Sequence, residues 1–408
     1  MALPLEGVRV IDLTNVMAGP YCGMVLGDLG ADVIKIESFP DGDASRRFDP
    51  KINDESYCFA VLNRNKRSLA LDLKDRRGKE VFMKLVAGAD IVMENFRPGV
   101  VKRLGIDHAS LSKLNPAIVY ASMSGFGQTG PYSQRGGYDI IAQGMSGIMM
   151  MTGAPGGRPA KVGIAMNDIA SGVTALYGIL GAYIGRLRSG KGQYLETSLL
   201  EAGLAWSIWE FGAWAGAGEI PTATGTRHRR SAPYQAYRTK DGYATVGAGN
   251  EKLWRNFCKQ VVEKPEWLTD PRYAKPADRL ANADELERDI EAVFASNTSA
   301  YWVERMEAAE VPGGPVYGFE QALADPHVAA RKMVVEIDHP MIGRMKTLGL
   351  PIKSTGELTE IRKPAPLLGQ HSAEVLAELG YTDEEIEAMF AGGTVFDGSR
   401  SIEPEVKP

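Results

Sequence analysis

Asp168 heads a run of the chain that holds no other charged side chain. Residues 163–185 read GIAMNDIASGVTALYGILGAYIG, and Arg186 is the next strong ionisable group. A carboxylate entering a buried apolar helix costs free energy unless it caps that helix or performs chemistry. As a cap, Asn167 or Asp168 would accept backbone N–H bonds from the first turn; position alone leaves both readings open. A second cluster, Arg227, His228, Arg229 and Arg230, is basic. Guanidinium groups bind carboxylates and phosphates bidentately, although a solvated basic loop has the same composition.

These residues need elements to hold them. Residues 8–13 read as a strand, 21–29 as a helix and 33–37 as a second strand, a βαβ unit. The alternation continues with strands at 68–73, 90–95 and 118–122 and a helix at 76–86. A mostly parallel, Rossmann-like sheet with right-handed crossovers follows. Gly19, Gly23, Gly27 and Gly30 do not form GxGxxG, so no dinucleotide site is read; at helical spacing the first three suit close packing on the sheet. Thr174, Gly178, Gly181 and Gly185 form a small-residue stripe on one helix face, a surface for another backbone such as a second subunit. After residue 200 the texture changes. Residues 234–249 suggest a hairpin turning at Asp241-Gly242, followed by amphipathic helices at 251–262, 284–295 and 299–310. The expected organisation is α/β: a large domain over 1–200, a linker over 201–225, a small α+β domain over 226–325, and a return to the large domain over 326–408.

Bulk properties narrow the class. A 408-residue chain with net charge -5 spread along its length lacks a nucleic-acid footprint. Cys22, Cys58 and Cys258 match no zinc or redox spacing, which suits free thiols in a reducing cytosol. The N-terminus shows no secretory or transit pattern. The uncharged run approaches a membrane span in length, but its Gly, Ala, Ser and Thr content suits a buried soluble helix. A cytoplasmic protein is expected, with no membrane or nucleic-acid partner and no metal or redox cofactor.

Several motifs then act together: GVRVIDLTNVMAGP (7–20), GDLGADVIKIE (27–37), NRNKRSLALDLK (63–74), ENFRPG (94–99), SGFGQTGP (124–131) and RLRSGKGQ (186–193). In this order, over nearly the whole chain, they resemble the family III CoA-transferases. The resemblance implies an interlaced, ring-like homodimer, acyl-CoA and a free carboxylic acid as substrates, and Asp168 as nucleophile. In such chemistry the carboxylate forms an anhydride and then an aspartyl-CoA thioester, splitting one acyl exchange into easier steps. The helix N-terminus would favour the ionised nucleophile. The resemblance also assigns CoA contacts. Val16 and Met17 lie after the first strand; Leu71, Asp72, Leu73 and Lys74 line the adenosine end. Asn95, Phe96, Arg97 and Arg103 match the next stretch, and Tyr138 and Asp139 lie beside the pantetheine and the catalytic centre.

Departures from the pattern narrow the reaction. Tyr138 stands where racemase relatives carry a proton-exchanging histidine, and racemisation needs two bases, so 2-methylacyl-CoA racemase or epimerase activity is disfavoured. Met17, Ser38 and Phe48 replace the glutamine, arginine and tryptophan of formyl-CoA:oxalate enzymes, and TRHRRSAP (226–233) replaces their glycine run. A CoA-binding protein without turnover is opposed by the intact Asp168. SAPYQAYRTKDGY (231–243), VGAGN (246–250) and PLLGQH (366–371) resemble the succinyl-CoA:dicarboxylate branch. On that reading Arg227, His228, Arg229 and Arg230 help hold the distal carboxylate of a diacid.

Overall fold

Six strands, five of them mostly buried, form the centre of the larger of two units in the computed structural model, which describes residues 2–399. They are β1 (Arg9–Asp12), β2 (Asp32–Glu37), β3 (Lys66–Leu71), β4 (Ile91–Glu94), β5 (Val119–Ser124) and β6 (Gln193–Ser198). All six run parallel in the order 3-2-1-4-5-6, and a short strand, β7 (Val395–Phe396), pairs antiparallel with β3 at one edge. The sheet is Rossmann-like. Parallel strands are buried on both faces because their crossovers lay helices there, and β3 has no exposed residue. β6 has no counterpart in the pattern reading: as an edge strand its QYLETS sequence is mostly polar and partly exposed. β7 was equally illegible, being two residues long.

The strand order reverses between β1 and β4. The connection after β1 enters α1 (Ala18–Asp28), while the chain after β4 turns the other way. Loops that diverge in this manner leave a crevice beyond the strands' carboxyl ends. α1 lies tight on the sheet, as its glycine spacing suggests: a Cβ on Gly19 would sit 2.2 Å from the Thr14 side chain, and one on Gly23 2.8 Å from the Asp12 carboxylate.

Two further helices build the site. They are α2 (Asp139–Met145) and the 24-residue α3 (Met166–Ser189), which packs on α1. That approach is closest at Gly172, where a Cβ would meet the Ala18 carbonyl oxygen at 2.5 Å. Of the stripe singled out by spacing, Gly178 faces Leu195 within the chain, with a Cβ there 3.4 Å from its side chain, while a Cβ on Gly181 or Gly185 would meet open space. Among the described residues no helix is long and apolar enough to cross a membrane.

The expected 201–225 linker is mostly helix: α4 (Leu199–Trp206) and α5 (Ile208–Ala217) belong to the larger unit. Their Trp, Ala and Gly content carries no turn signal other than Gly218, which ends α5 with a φ of 68°. The smaller unit comprises Met150–Ala160 and Ile220–Ala329. Met150–Ala160 had been assigned to 1–200; a backbone bond from Gly225 N to Gly153 O (2.8 Å) ties this stretch to the smaller unit. Its antiparallel sheet joins Tyr234–Arg238, Tyr243–Gly247 and Gly313–Pro315 around a core that includes Trp254, Phe257, Phe294 and Trp302. The larger unit resumes at Ala330. Residues 400–408 of the expected 326–408 return lie outside the described residues.

Candidate active site

The crevice at the β1/β4 reversal has two lobes that share Asn15 and Phe96. The first, about 320 Å³, is walled by residues 15–18, 95–97 and 123–125 with Gly137, Tyr138, Leu199 and Asp168. The second, about 370 Å³, lies over residues 71–74 and Arg103. An extended ligand with a reactive end and a charged end suits such a shape.

Backbone and buried polar groups set the walls. Asn15 N–H donates to Asn95 Oδ1 (2.8 Å) and Asn95 Nδ2 donates to Asn15 O (2.8 Å), stitching the β1 and β4 loops together. Val16 has a φ of 71°, costly for a β-branched residue. It is held there by the buried Asp43 carboxylate, which accepts its N–H (3.1 Å), while Lys35 Nζ donates to Thr14 O (2.6 Å) and pairs with Asp43 (2.9 Å). Strain of this kind gathers at functional sites when the surroundings over-determine it. Gly125 and Gly137 bring the Tyr138 loop onto the end of β5; a Cβ on Gly137 would lie 2.4 Å from Gly125 Cα. Glu94, buried at the end of β4, accepts the Phe96 N–H (2.9 Å), and burial pushes its carboxyl up to about 7.

Asp168 is the third residue of α3, half-buried, and faces the first lobe. Contrary to the capping expectation, neither Asn167 nor Asp168 caps α3. The N-cap position is Ala165, which has no side-chain acceptor. Asp139 does the work from outside: its Oδ1 accepts the N–H groups of Asn167 (2.8 Å) and Asp168 (3.3 Å). A residue already inside the first turn has helical dihedrals, and its side chain leaves the axis rather than folding onto the N–H groups. The other Asp139 oxygen accepts Gln143 Nε2 (2.6 Å), and Gln143 Oε1 takes the Val162 N–H (2.9 Å). Asn167 turns inward and donates to Leu199 O (2.9 Å). The Asp168 carboxylate is left for other work. Burial, and after it the neighbouring Asp139 charge, pushes Asp168 up to about 6, with no cation offsetting either effect. Above that pH it is an ionised, poorly solvated carboxylate facing a cavity, suited to attack on a carbonyl.

The expected contact residues divide between the two lobes, with Phe96 in both. Val16, Met17, Asn95, Phe96, Arg97 and Tyr138 wall the first lobe with Asp168. Leu71, Asp72, Leu73, Lys74, Phe96 and Arg103 line the second. Asp139 lines neither, because its carboxylate is committed to α3 and Gln143. The 227–230 loop lies in the smaller unit. There the Arg227 guanidinium bonds to Gln235 (3.1 Å), Asp284 (2.7 Å) and Glu287 within that unit. His228 packs on Tyr234 with ring centroids 4.9 Å apart. Residue-by-residue reading missed Asn15, Met123, Ser124, Gly125, Gly137, Leu199 and Gln143. Gln143 left one signal: a lone amide four residues after Asp139, on the same face of a mostly apolar helix.

Residues 5–372 match the CoA-transferase family III. The succinyl-CoA:glutarate CoA-transferase of Mus musculus is 38% identical over 394 residues, covering 96% of this chain and 90% of that protein. The acetyl-CoA:oxalate CoA-transferase of Acetobacter aceti is 38% identical over 377 residues, 92% of this chain and 95% of its own. The crystal structure of a CAIB/BAIF family protein from Brucella suis superposes with a TM-score of 0.84 at 35% identity, over 93% of this chain and all of that one. With its sequence and fold both shared over more than nine-tenths of its length, this chain belongs to the family III CoA-transferases.

Proposed function

We propose that the protein moves CoA from an acyl-CoA donor, succinyl-CoA or a similar thioester, to a free dicarboxylic acid, with Asp168 as nucleophile. The observation that carries this reading is an uncapping, uncompensated carboxylate aimed into a crevice whose far lobe carries Lys74 and Arg103. The Asp168 oxygen adds to the thioester carbonyl and the C–S bond breaks, leaving an aspartyl anhydride and CoA thiolate. The thiolate then attacks the aspartyl carbonyl, releasing the donor acid and leaving an aspartyl-CoA thioester. The acceptor carboxylate reverses both steps, so no proton is gained or lost overall. Lys74 and Arg103 supply the far lobe with charge for the CoA phosphates, and the first lobe takes the pantetheine end and the acyl group. The dicarboxylate assignment is supported by the relatives that act on glutarate and on oxalate, itself a diacid.

Self-association completes the reading. α5 has no buried residue and exposes Ile208 (73%) and Trp209 (70%), and α3 exposes Tyr177 and Leu187 beside the open Gly181 and Gly185. Apolar surface of this extent marks an interface, and a homodimer is the proposed occupant. Light scattering behind a sizing column gives the mass directly.

The decisive experiment for the chemistry is incubation with succinyl-CoA and hydroxylamine. Asp168 should become a hydroxamate, found by peptide mass spectrometry, with loss of activity; an unmodified and fully active protein would sink the covalent mechanism.

A further inference from the structure

We propose that Asp139 is the positioning residue of the nucleophile: it caps α3 so that Asp168 does not have to, and sets its charge beside it. The proposal rests on the assignment of Asp168 as nucleophile. Three geometric facts carry it. Asp139 Oδ1 accepts the N–H groups of both Asn167 and Asp168, so the donors nearest the nucleophile are already engaged. Asp139 Oδ2 is pinned by Gln143, which is fully buried and held at its own far end by Val162 N–H. Asp139 is therefore fixed through both oxygens and has no side-chain freedom left for a substrate.

Two effects on Asp168 follow, and they are separable. The cap removes the nearest donors that could stabilise an ionised Asp168 in the ground state, where stabilisation would blunt its attack. The charge works in the same direction, making Asp168 a stronger base and nucleophile, in line with its raised proton affinity. The titratable groups on the elements packed around this end of α3 are few. Tyr21 lies on α1 beside Gly172, Glu201 on α4 accepts the Ser198 hydroxyl (2.6 Å), and Arg97 and Tyr138 stand across the first lobe. Of these and Asp139, only Asp139 bonds to the backbone of Asp168.

The test compares Asp139→Asn with Asp139→Ala in the full-length enzyme. Asparagine keeps an acceptor oxygen for α3 but loses the charge and the acceptor for Gln143 Nε2; alanine loses all three. The readouts are the pH profile of kcat, KM for succinyl-CoA, the pH dependence of hydroxamate formation at Asp168, and melting temperature. Asp139→Asn should melt below wild type but above Asp139→Ala, move the acid limb down by about one pH unit and lower the plateau by about 3- to 10-fold. Asp139→Ala should lower kcat by about 10- to 100-fold with KM changed less than about threefold. An Asp139→Asn profile that superposes on wild type overturns the proposal, as does a loss confined to KM, which would make Asp139 a CoA contact. Failure of the underlying reading is distinguishable, because wild-type enzyme would then form no hydroxamate at Asp168 at all.

Discussion

Beneath the β1–α1 connection, Asp12, Glu37 and Asp43 are almost completely buried, and each meets a cation. Asp12 pairs with Lys66 (2.8 Å), Asp43 with Lys35 (2.9 Å) and Glu37 with Arg46 (2.8 Å). At the head of α3, Asp168 is less buried, yet its charged neighbour is another carboxylate. Burial works against ionisation in both regions. In the first it is outweighed by Lys66, Lys35 and Arg46, and all three acids sit below the usual carboxylate range. In the second nothing opposes burial, and Asp168 rises to about 6. Compensated acids hold the crevice wall, fixing Thr14 and Val16, and an uncompensated acid faces the space between. What separates the compensated carboxylates from the proposed nucleophile is the company each keeps, more than its depth.

The sharpest way to separate the two regions is by substituting amide for acid in each. Asp168→Asn should reduce CoA transfer at least ~10³-fold, about 4 kcal/mol of barrier, while the protein still folds; steady-state assay with a circular dichroism control reads both. Asp43→Asn should do the opposite, leaving Lys35 buried without its counter-charge at a cost of ~3–5 kcal/mol. Urea unfolding measures this, and a loss below about 1 kcal/mol would mean the ion pair is not what holds the turn. Gly137→Ala, which drives a methyl into the Gly125 backbone, should lower kcat/KM about tenfold by displacing the Tyr138 loop.

The smallest effects concern pH, and their signs differ between the regions. Asp12, Glu37 and Asp43 have depressed folded values, so their stabilisation is complete above about pH 4–5 and is lost as pH falls below that. Asp168 has a raised folded value, so stability declines as pH rises from about 4 to about 6 and then levels off. Asp168→Asn should therefore melt about 1–3 °C above wild type at pH 8, with the gap closing toward pH 4. A gap that widened toward low pH would reverse the comparison. Activity itself should fall about tenfold per unit below pH 6.

Much of the larger unit was legible in the chain. The β1–β5 strands are short apolar runs between turn residues, and local pattern marks them because each strand's burial is written in its own side chains. The glycine spacing of α1 was legible for the same reason. β6 and β7 were not: one is a polar edge and the other is two residues long. α4 and α5 read as linker because their apolar residues carry no clear helical stripe: α4 buries Leu199, Ala202 and Gly203, whereas α5 buries no residue.

At the site, the residues that motif resemblance assigns to CoA fall on the linings of the two lobes with Asp168, because they lie in contiguous stretches after strands. Resemblance did not reveal the partners of Asp139 and Arg227, whose types suit CoA and carboxylate binding equally well. Their partners, Asn167 and Gln143 for one and Asp284 and Glu287 for the other, are set by folding. Side-chain chemistry and spacing are properties of the chain, so the sheet and the reaction class could be read from it, and Asp168 could be singled out as the proposed nucleophile. Which carboxylate is compensated, which is spent on a helix end and which is left facing the crevice depend on distances between segments far apart in sequence. Electrostatic energy falls with those distances, and only the folded structure determines them.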